Sequence, residues 1–304
     1  MKVMLLVNPY ASGVDWKSRM QANSALLAGH DLTTVETTKR DDATGIAAQA
    51  AEDGFDVVAV LGGDGTLNEA ANGLAGTDTA LAPLPGGSTN VFARTLGLPN
   101  DPIEATGALL AALDRDAIAP VGLGSVNGRY FLFHVGMGFD AAVVKQVERR
   151  AALKRYAGHP LFVYAAFATW FRHYDTSRPR MSVHLPDGTT VDDSYLTLCL
   201  NTNPYTFLGN RPLNVAPDAG LDRGLAVMVL RTLSFGSTIA IALSALGSGD
   251  RARAHPRTAY YHDLTALRVE GHGPFPYQVD GDYLGEVEHL DLRHEPDVLR
   301  LVLP

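Results

Sequence analysis

Cysteine is nearly missing from this 304-residue chain: Cys199 stands alone. That excludes a disulfide scaffold and any zinc or iron–sulfur site built from several cysteines, and it suits a reducing compartment. Positive charge is also scarce. The 25 Lys and Arg residues are outnumbered by 33 Asp and Glu, a net charge of −8, so the basic field that nucleic-acid binding needs is lacking. No run is long and apolar enough to span a membrane. The longest charge-free stretch, Thr232 to Gly249, is diluted by serine, threonine and glycine and falls short of the roughly 20 mostly apolar residues required. The apolar run Val3 to Val7 is shorter than the roughly 7–15 residues of a signal-peptide core. It predicts a first buried strand, and the protein is expected to be cytoplasmic.

Several chemical signatures are absent too. No lysine follows a glycine, which removes a Walker A loop. There is no G-x-G-x-x-G, which stands against a dinucleotide fingerprint and a protein-kinase glycine loop. His255, His262, His272, His289 and His294 are scattered without the spacing of a zinc site. Ser12 sits in Ala-Ser-Gly rather than in a G-x-S-x-G elbow, which argues against hydrolase chemistry. His134 and Cys199 lie in apolar runs and read as core residues, the histidine as a satisfied core or site-wall residue and the cysteine as buried and inert.

What is present is enough apolar content for a sizeable core, 46% of residues, and thirty glycines. The length fits one or two domains. Up to about residue 120 the pattern alternates between strand and helix: strands at Val3–Val7, Asp31–Thr37, Asp56–Leu61 and Ala80–Leu84, and helices near Trp16–Leu27, Ala43–Glu52 and Thr66–Leu74. Alternation of this kind implies parallel βαβ units, and wholly apolar strands fit a sheet covered on both faces. Beyond residue 118 the pattern changes. A hairpin is expected at Asn127-Gly128, then helices over 140–156 and 161–174, then mostly strands and turns. The expected architecture is α/β, with a βαβ domain at 1–120 and a β-rich domain at 121–295.

Three breaks fall where strands end: Asn8 to Gly13 (NPYASG), Gly62 to Asn68 (GGDGTLN) and Pro85 to Asn90 (PGGSTN). In open α/β sheets the carboxyl edge of the strands is where ligands bind. The middle break packs three glycines into four positions before a helix, so the backbone can approach a ligand closely and the helix N-terminus can face an anion. Taken alone it could equally be a capped turn with Asp64 at the surface. Three such loops together point to phosphate.

These runs, together with Gly87 to Arg94, Gly136-Met137-Gly138-Phe139-Asp140 and Val279-Asp280-Gly281-Asp282, resemble the diacylglycerol kinase catalytic superfamily, which includes bacterial lipid kinases, sphingosine kinases and ceramide kinases. The resemblance covers nearly the whole chain. It implies a Rossmann-like, NAD-kinase-like parallel-sheet domain and a C-terminal β-sandwich, with residues 296–304 returning to the first domain and the substrate lying between the two. It implies an ATP-dependent lipid kinase, with diacylglycerol as the leading acceptor. The implied ATP contacts are Asn8, Pro9, Ser12, Gly13, Thr37, Gly62, Gly63, Asp64, Gly65, Thr66, Leu67, Asn68, Ser88, Thr89, Asn90 and Asp280, with Mg²⁺ as the accompanying ion. The implied proton acceptor is Asp282 first and Asp64 second, where the family usually has Asp-Gly-Glu. From the residues alone, Asp280-Gly281-Asp282 also reads as a type I′ hairpin turn with solvated acids.

Two further departures bear on metal binding. The family's Leu-Asp-Asp-Gly run is Leu221-Asp222-Arg223-Gly224 here, and its Asn-Asp pair is Asn90-Val91. A fixed arginine beside a divalent ion repels it at short range, leaving Asp218 or Asp222 as ligands for a structural metal, or Asp222-Arg223 as an ordinary turn. The rival readings are an NAD kinase, which shares the glycine–aspartate loop, and a nucleotide-binding module without turnover.

A basic segment, Lys145, Arg149, Arg150, Lys154 and Arg155, precedes the apolar and aromatic run Pro160 to Phe171. It reads either as a solvated helix face with core aromatics or as a dock for an anionic membrane. Family relatives often dimerise, so the resemblance implies a possible homodimer.

Overall fold

The computed structural model describes residues 1–149, 165–166 and 168–304. The chain divides into two compact units, residues 1–123 with 296–304, and residues 124–295. The α/β class expected from the sequence is borne out.

The first unit is built on parallel strands. β1 (Lys2–Val7) lies between β2 (Asp31–Glu36) and β3 (Val57–Gly62), and β3 pairs in turn with β4 (Ala80–Pro85). The end of the chain joins them, with Arg300 and Leu301 parallel to Ala80 and Leu81. Side chains alternate across a strand. Val3, Leu5, Val7, Val57, Ala59 and Leu61 therefore share one buried cluster with Ala22 and Leu26 of α1 (Trp16–Leu27) and with Leu109 and Leu113 of α5 (Pro102–Asp114). Met4, Leu6, Val58 and Val60 face the other way and are also buried. That face is where α2 (Asp42–Glu52) and α3 (Asp64–Leu74) pack on β1 and β3.

The helix starts follow their caps. Asp15 and Ser18 form a reciprocal capping box for α1. Asp101 accepts from the Ile103 and Glu104 N–H groups ahead of α5, and Pro102 fills the first helical position. α5 is not among the helices expected from the sequence, although Asp101-Pro102 is a start signal for it. α3 begins two residues before the expected Thr66. The helix starts at Asp64 with Gly63 as its cap, so only Gly62 and Gly63 of the glycine run lie outside it.

The second unit is mainly antiparallel. Its path runs β14 (Thr258–Leu264), β13 (Leu225–Leu230), β10 (Leu196–Leu200), β7 (His134–Gly138), β15 (Ala266–Val279) and β16 (Asp282–Val302). β8 (Met181–His184) pairs with β15, β9 (Thr190–Ser194) with β8, and β11 (Thr206–Leu208) with β12 (Arg211–Leu213) in a separate hairpin. Asn127 and Gly128 both have positive φ, the conformation of the expected hairpin turn between β5 (Ile118–Val126) and β6 (Arg129–Phe131). α6 (Phe139–Glu148) follows β7 directly, with Gly138 at φ +73°. The remainder of the helix expected over 140–156, and most of the run from Pro160, lie outside the described residues. Thr169–His173 forms a π-helical turn. Cys199 is buried in β10, and burial raises its thiol pKa. Among the described residues no helix is long and apolar enough to cross a membrane. The charge-free stretch contains the eleven-residue helix Phe235–Ala245.

Candidate functional site

Strand register brings the three loops of the first unit together. Val7 pairs with Leu61, and Gly62 with Pro85, so β1, β3 and β4 end side by side. The chain beyond each strand stays in contact. The Asn8 N–H donates to Leu61 O at 3.0 Å, Gly86 N–H to Gly62 O at 2.8 Å, and Gly13 N–H to Gly86 O at 2.8 Å. The Asn8 amide donates to the Thr66 hydroxyl at 2.8 Å. Thr37 joins through its N–H to Val7 O at 2.9 Å. Only glycine permits this approach, because a Cβ on Gly87 would lie 2.8 Å from Gly63 Cα. The convergence is thus one of backbones, and it leaves the first turn of α3 beside the glycines, where its N–H groups favour an anion.

The residues named for this site play different parts. Ser12 and Ser88 are exposed, and Pro9 and Thr89 are partly so. Thr66 and Asn68 are buried on α3. Leu67 is also buried, and its N–H is used in the helix bond to Gly63 O, so Leu67 belongs to the fold rather than to the loop surface. Asn90, with φ +51°, clasps Gly87 from both sides: it accepts from Gly87 N–H at 2.7 Å and donates to Gly87 O at 3.0 Å. Its amide also donates to Asn100 at 2.8 Å, a partner the sequence reading missed. The Asp64 carboxylate reaches across to α4 (Val91–Thr95), accepting from the Val91 and Phe92 N–H groups at 3.0 and 3.1 Å. Asp64 therefore caps a neighbouring helix and ties the second loop to the third.

In the second unit, Val279 pairs with Asp282 across Asp280 and Gly281, both at positive φ, which makes a type I′ turn. The turn geometry foreseen from the isolated residues is present, but its acids are not both solvated. Asp280 is buried. Its carboxylate accepts from the backbone N–H of Leu132 at 2.7 Å, and of Phe133 and His134 at 3.0 Å each. Asp282 is partly exposed.

The turn is also held from its flanks. The Gln278 amide oxygen accepts from Gly281 N–H at 2.8 Å, and its NH₂ donates to Asp140 at 2.9 Å. Tyr205 donates to the other Asp140 oxygen at 2.6 Å. Glu148 accepts from Tyr283 N–H at 2.9 Å. Burial raises the Asp140 carboxyl and the Tyr205 phenol pKa values. A side chain on Gly136 would overlap Asp140, which gives Gly136-x-Gly-Phe-Asp140 a packing reason. Gln278, Tyr205 and Glu148 are not among the residues expected from the sequence. A glutamine in the apolar strand before a two-acid turn was the available signal.

Several expectations are revised. His134 is 3% exposed in β7, but neither ring nitrogen has a hydrogen-bond partner, so it is buried without being satisfied, and burial pushes its pKa down to about 3. Asp218 accepts from the Tyr260 hydroxyl at 2.8 Å. The Asp222 side chain is 83% exposed beside Arg223. Among the described residues no three His, Cys, Asp or Glu side chains are grouped to hold a metal. Of the basic segment, Lys145 is turned to Glu286 at 3.1 Å and lies over the Tyr283 ring. Arg149 is exposed, and Arg150, Lys154 and Arg155 lie outside the described residues.

Comparison with known proteins gives the arrangement a context. Residues 2–126 match the model of the diacylglycerol kinase catalytic domain. The diacylglycerol kinase of Bacillus subtilis (strain 168) is 30% identical over 262 residues, covering 85% of this chain and 81% of that protein. The diacylglycerol kinase of Staphylococcus aureus (strain JH9) is 29% identical over 279 residues, covering 89% and 82%. A crystal structure of a diacylglycerol kinase from Bacillus anthracis str. Sterne superposes with a TM-score of 0.78 at 23% identity, over 100% of this chain and 97% of that one; this last likeness concerns the fold alone.

Proposed function

Because this chain belongs to the diacylglycerol kinase family, we propose that it is a lipid kinase that transfers the γ-phosphate of ATP to a lipid hydroxyl, with diacylglycerol giving phosphatidic acid. The observation that carries this reading is the closure of three strand-end loops onto one another through Gly13, Gly62, Gly63, Gly86 and Gly87. A triphosphate is anionic and needs close donors. Bare glycine backbone and the first turn of α3 supply them without a lysine. Asn8, Ser12, Thr37, Thr66, Ser88, Thr89 and Asn90 border the same loops and are assigned to the nucleotide.

In the transfer, the acceptor oxygen attacks the γ-phosphorus in line, the bond to the bridging oxygen breaks, and ADP departs. The hydroxyl proton passes to a carboxylate. We assign that role to Asp282 ahead of Asp64, because Asp282 stands at the end of a fastened turn, at the position where the resemblance implies the proton acceptor. The donors around the loops are oxygens, with Asp64 the charged one, which suits a hard cation carried on the phosphates. Asp64 would hold Mg²⁺, which offsets phosphate charge when bound.

Labelled ATP offered with diacylglycerol in mixed micelles is expected to yield labelled phosphatidic acid. Labelled NADP from NAD would overturn the lipid reading, and calorimetric ATP binding with no product from a broad lipid panel would overturn turnover itself.

A further inference from the structure

The helix Phe235–Ala245 is apolar on two opposite sides. Ile241 and Ala245 are buried in a cluster with Leu198, Leu200, Met228 and Leu230. Phe235, Ile239 and Leu243 are 55, 37 and 63% exposed. Spaced four apart, they form one stripe along the helix. A helix on a protein surface ordinarily presents polar side chains outward, and an exposed apolar stripe of large residues marks a contact surface. No charged residue interrupts it from Thr232 to Gly249.

Charge gathers at the two ends instead. Arg231 precedes the helix, and Arg251, Arg253 and Arg257 follow it. Arg231 is paired with Asp193 and Arg253 with Asp250. Arg251 and Arg257 are exposed, and among the described residues no carboxylate pairs with them. Trp170 sets its ring edge-on to Phe235, with centroids 6.3 Å apart, extending the stripe with the side chain most favoured where hydrocarbon meets headgroup.

An apolar stripe bracketed by arginines matches a surface with hydrocarbon beneath anionic headgroups. A second copy of the chain is a poorer match, since three side chains fall well short of the roughly 800 Å² per partner of a stable interface. We infer that the Phe235–Ala245 face docks on an anionic bilayer, with the helix lying along the surface, Phe235, Ile239 and Leu243 entering the headgroup–acyl boundary, and Arg251 and Arg257 meeting lipid phosphates. The choice of occupant rests on the lipid-kinase reading, because a bilayer is where a diacylglycerol acceptor resides.

Co-sedimentation of the full chain with vesicles tests the surface without ATP or acceptor. Binding is expected to vesicles of phosphatidylcholine with phosphatidylglycerol, and to weaken at least tenfold in Phe235→Ser/Leu243→Ser. Arg251→Glu/Arg257→Glu should lose the preference for phosphatidylglycerol and most of the salt dependence. Thermal melts accompany both, and if the double serine variant is unfolded the single Leu243→Gln substitution replaces it. Variants that bind vesicles as well as the parent chain would overturn the proposal. So would ultracentrifugation showing that the serine variant converts an oligomer to a monomer. Because no turnover is read, a parent chain that does not bind the vesicles refutes the surface alone, whereas a chain that binds vesicles yet phosphorylates no lipid refutes the enzymatic reading alone.

Discussion

Asp64 and Asp280 sit in two unlike settings, a helix start after a parallel strand and a hairpin turn between antiparallel strands, yet their carboxylates do similar work. Each collects backbone N–H groups from a separate segment: two from the start of α4 for Asp64, and three from residues 132–134 for Asp280. The difference lies in what each arrangement holds in place. Asp64 joins two of the glycine-bearing loops. Asp280 seats the turn on which Asp282 is presented. A carboxylate beside glycines is therefore not by itself a proton acceptor, since such residues also fasten loops.

The largest effect that would sharpen this contrast belongs to Asp282→Asn. It is expected to lower kcat by about 10²- to 10⁴-fold, the usual worth of a general base, while calorimetry records unchanged ATP affinity. Equal losses of kcat and ATP affinity would break the contrast with Asp64. Next, Asp280→Ala strands three buried N–H groups, at about 1–3 kcal/mol for each unsatisfied group. Urea denaturation should register a loss of about 3 kcal/mol or more, and an unchanged midpoint would show that the turn stands without its anchor.

A smaller effect is set by pH. His134 is the last residue of the segment that Asp280 binds, and its folded pKa of about 3 lies below its unfolded value. Stability is then complete above about pH 6.5 and falls as acidification protonates the unfolded chain first, by about 1.4 kcal/mol per pH unit. Denaturation midpoints of His134→Phe should fall less steeply from pH 6.5 to 4.5 than those of the parent chain, and parallel slopes would refute the assignment. The smallest expected change is in Asp64→Ala, about 1 kcal/mol of stability as for a lost helix cap. It should come with weaker ATP binding in calorimetry, in contrast to Asp282→Asn.

Much of the first unit was legible because its signals are local. Apolar runs end at Asn8, Gly62 and Pro85, and parallel βαβ logic places such ends on one edge. The capping role of Asp64 was not legible, since its partners, Val91 and Phe92, lie 27 and 28 residues away and offer only backbone, which no side-chain pattern marks. The same holds for Asp280 and residues 132–134. The Asn127-Gly128 and Asp280-Gly281 turns were readable because dipeptides of these types favour positive φ. Gln278, Asp140 and Tyr205 meet across strands far apart in sequence, so their network depends on a register that composition cannot give. The long charge-free stretch was visible from the start, but whether its apolar residues turned inward or outward depended on which face of one short helix met the core.

The last strand, β16, begins in the second unit at Asp282 and finishes against β4 in the first. The edge of β4 thus stays open on the ribosome until residues 300 and 301 have been made, and an unpaired edge is a place where chains stick to one another. Residues 124–295 must therefore be synthesised before the sheet of the first unit can be completed.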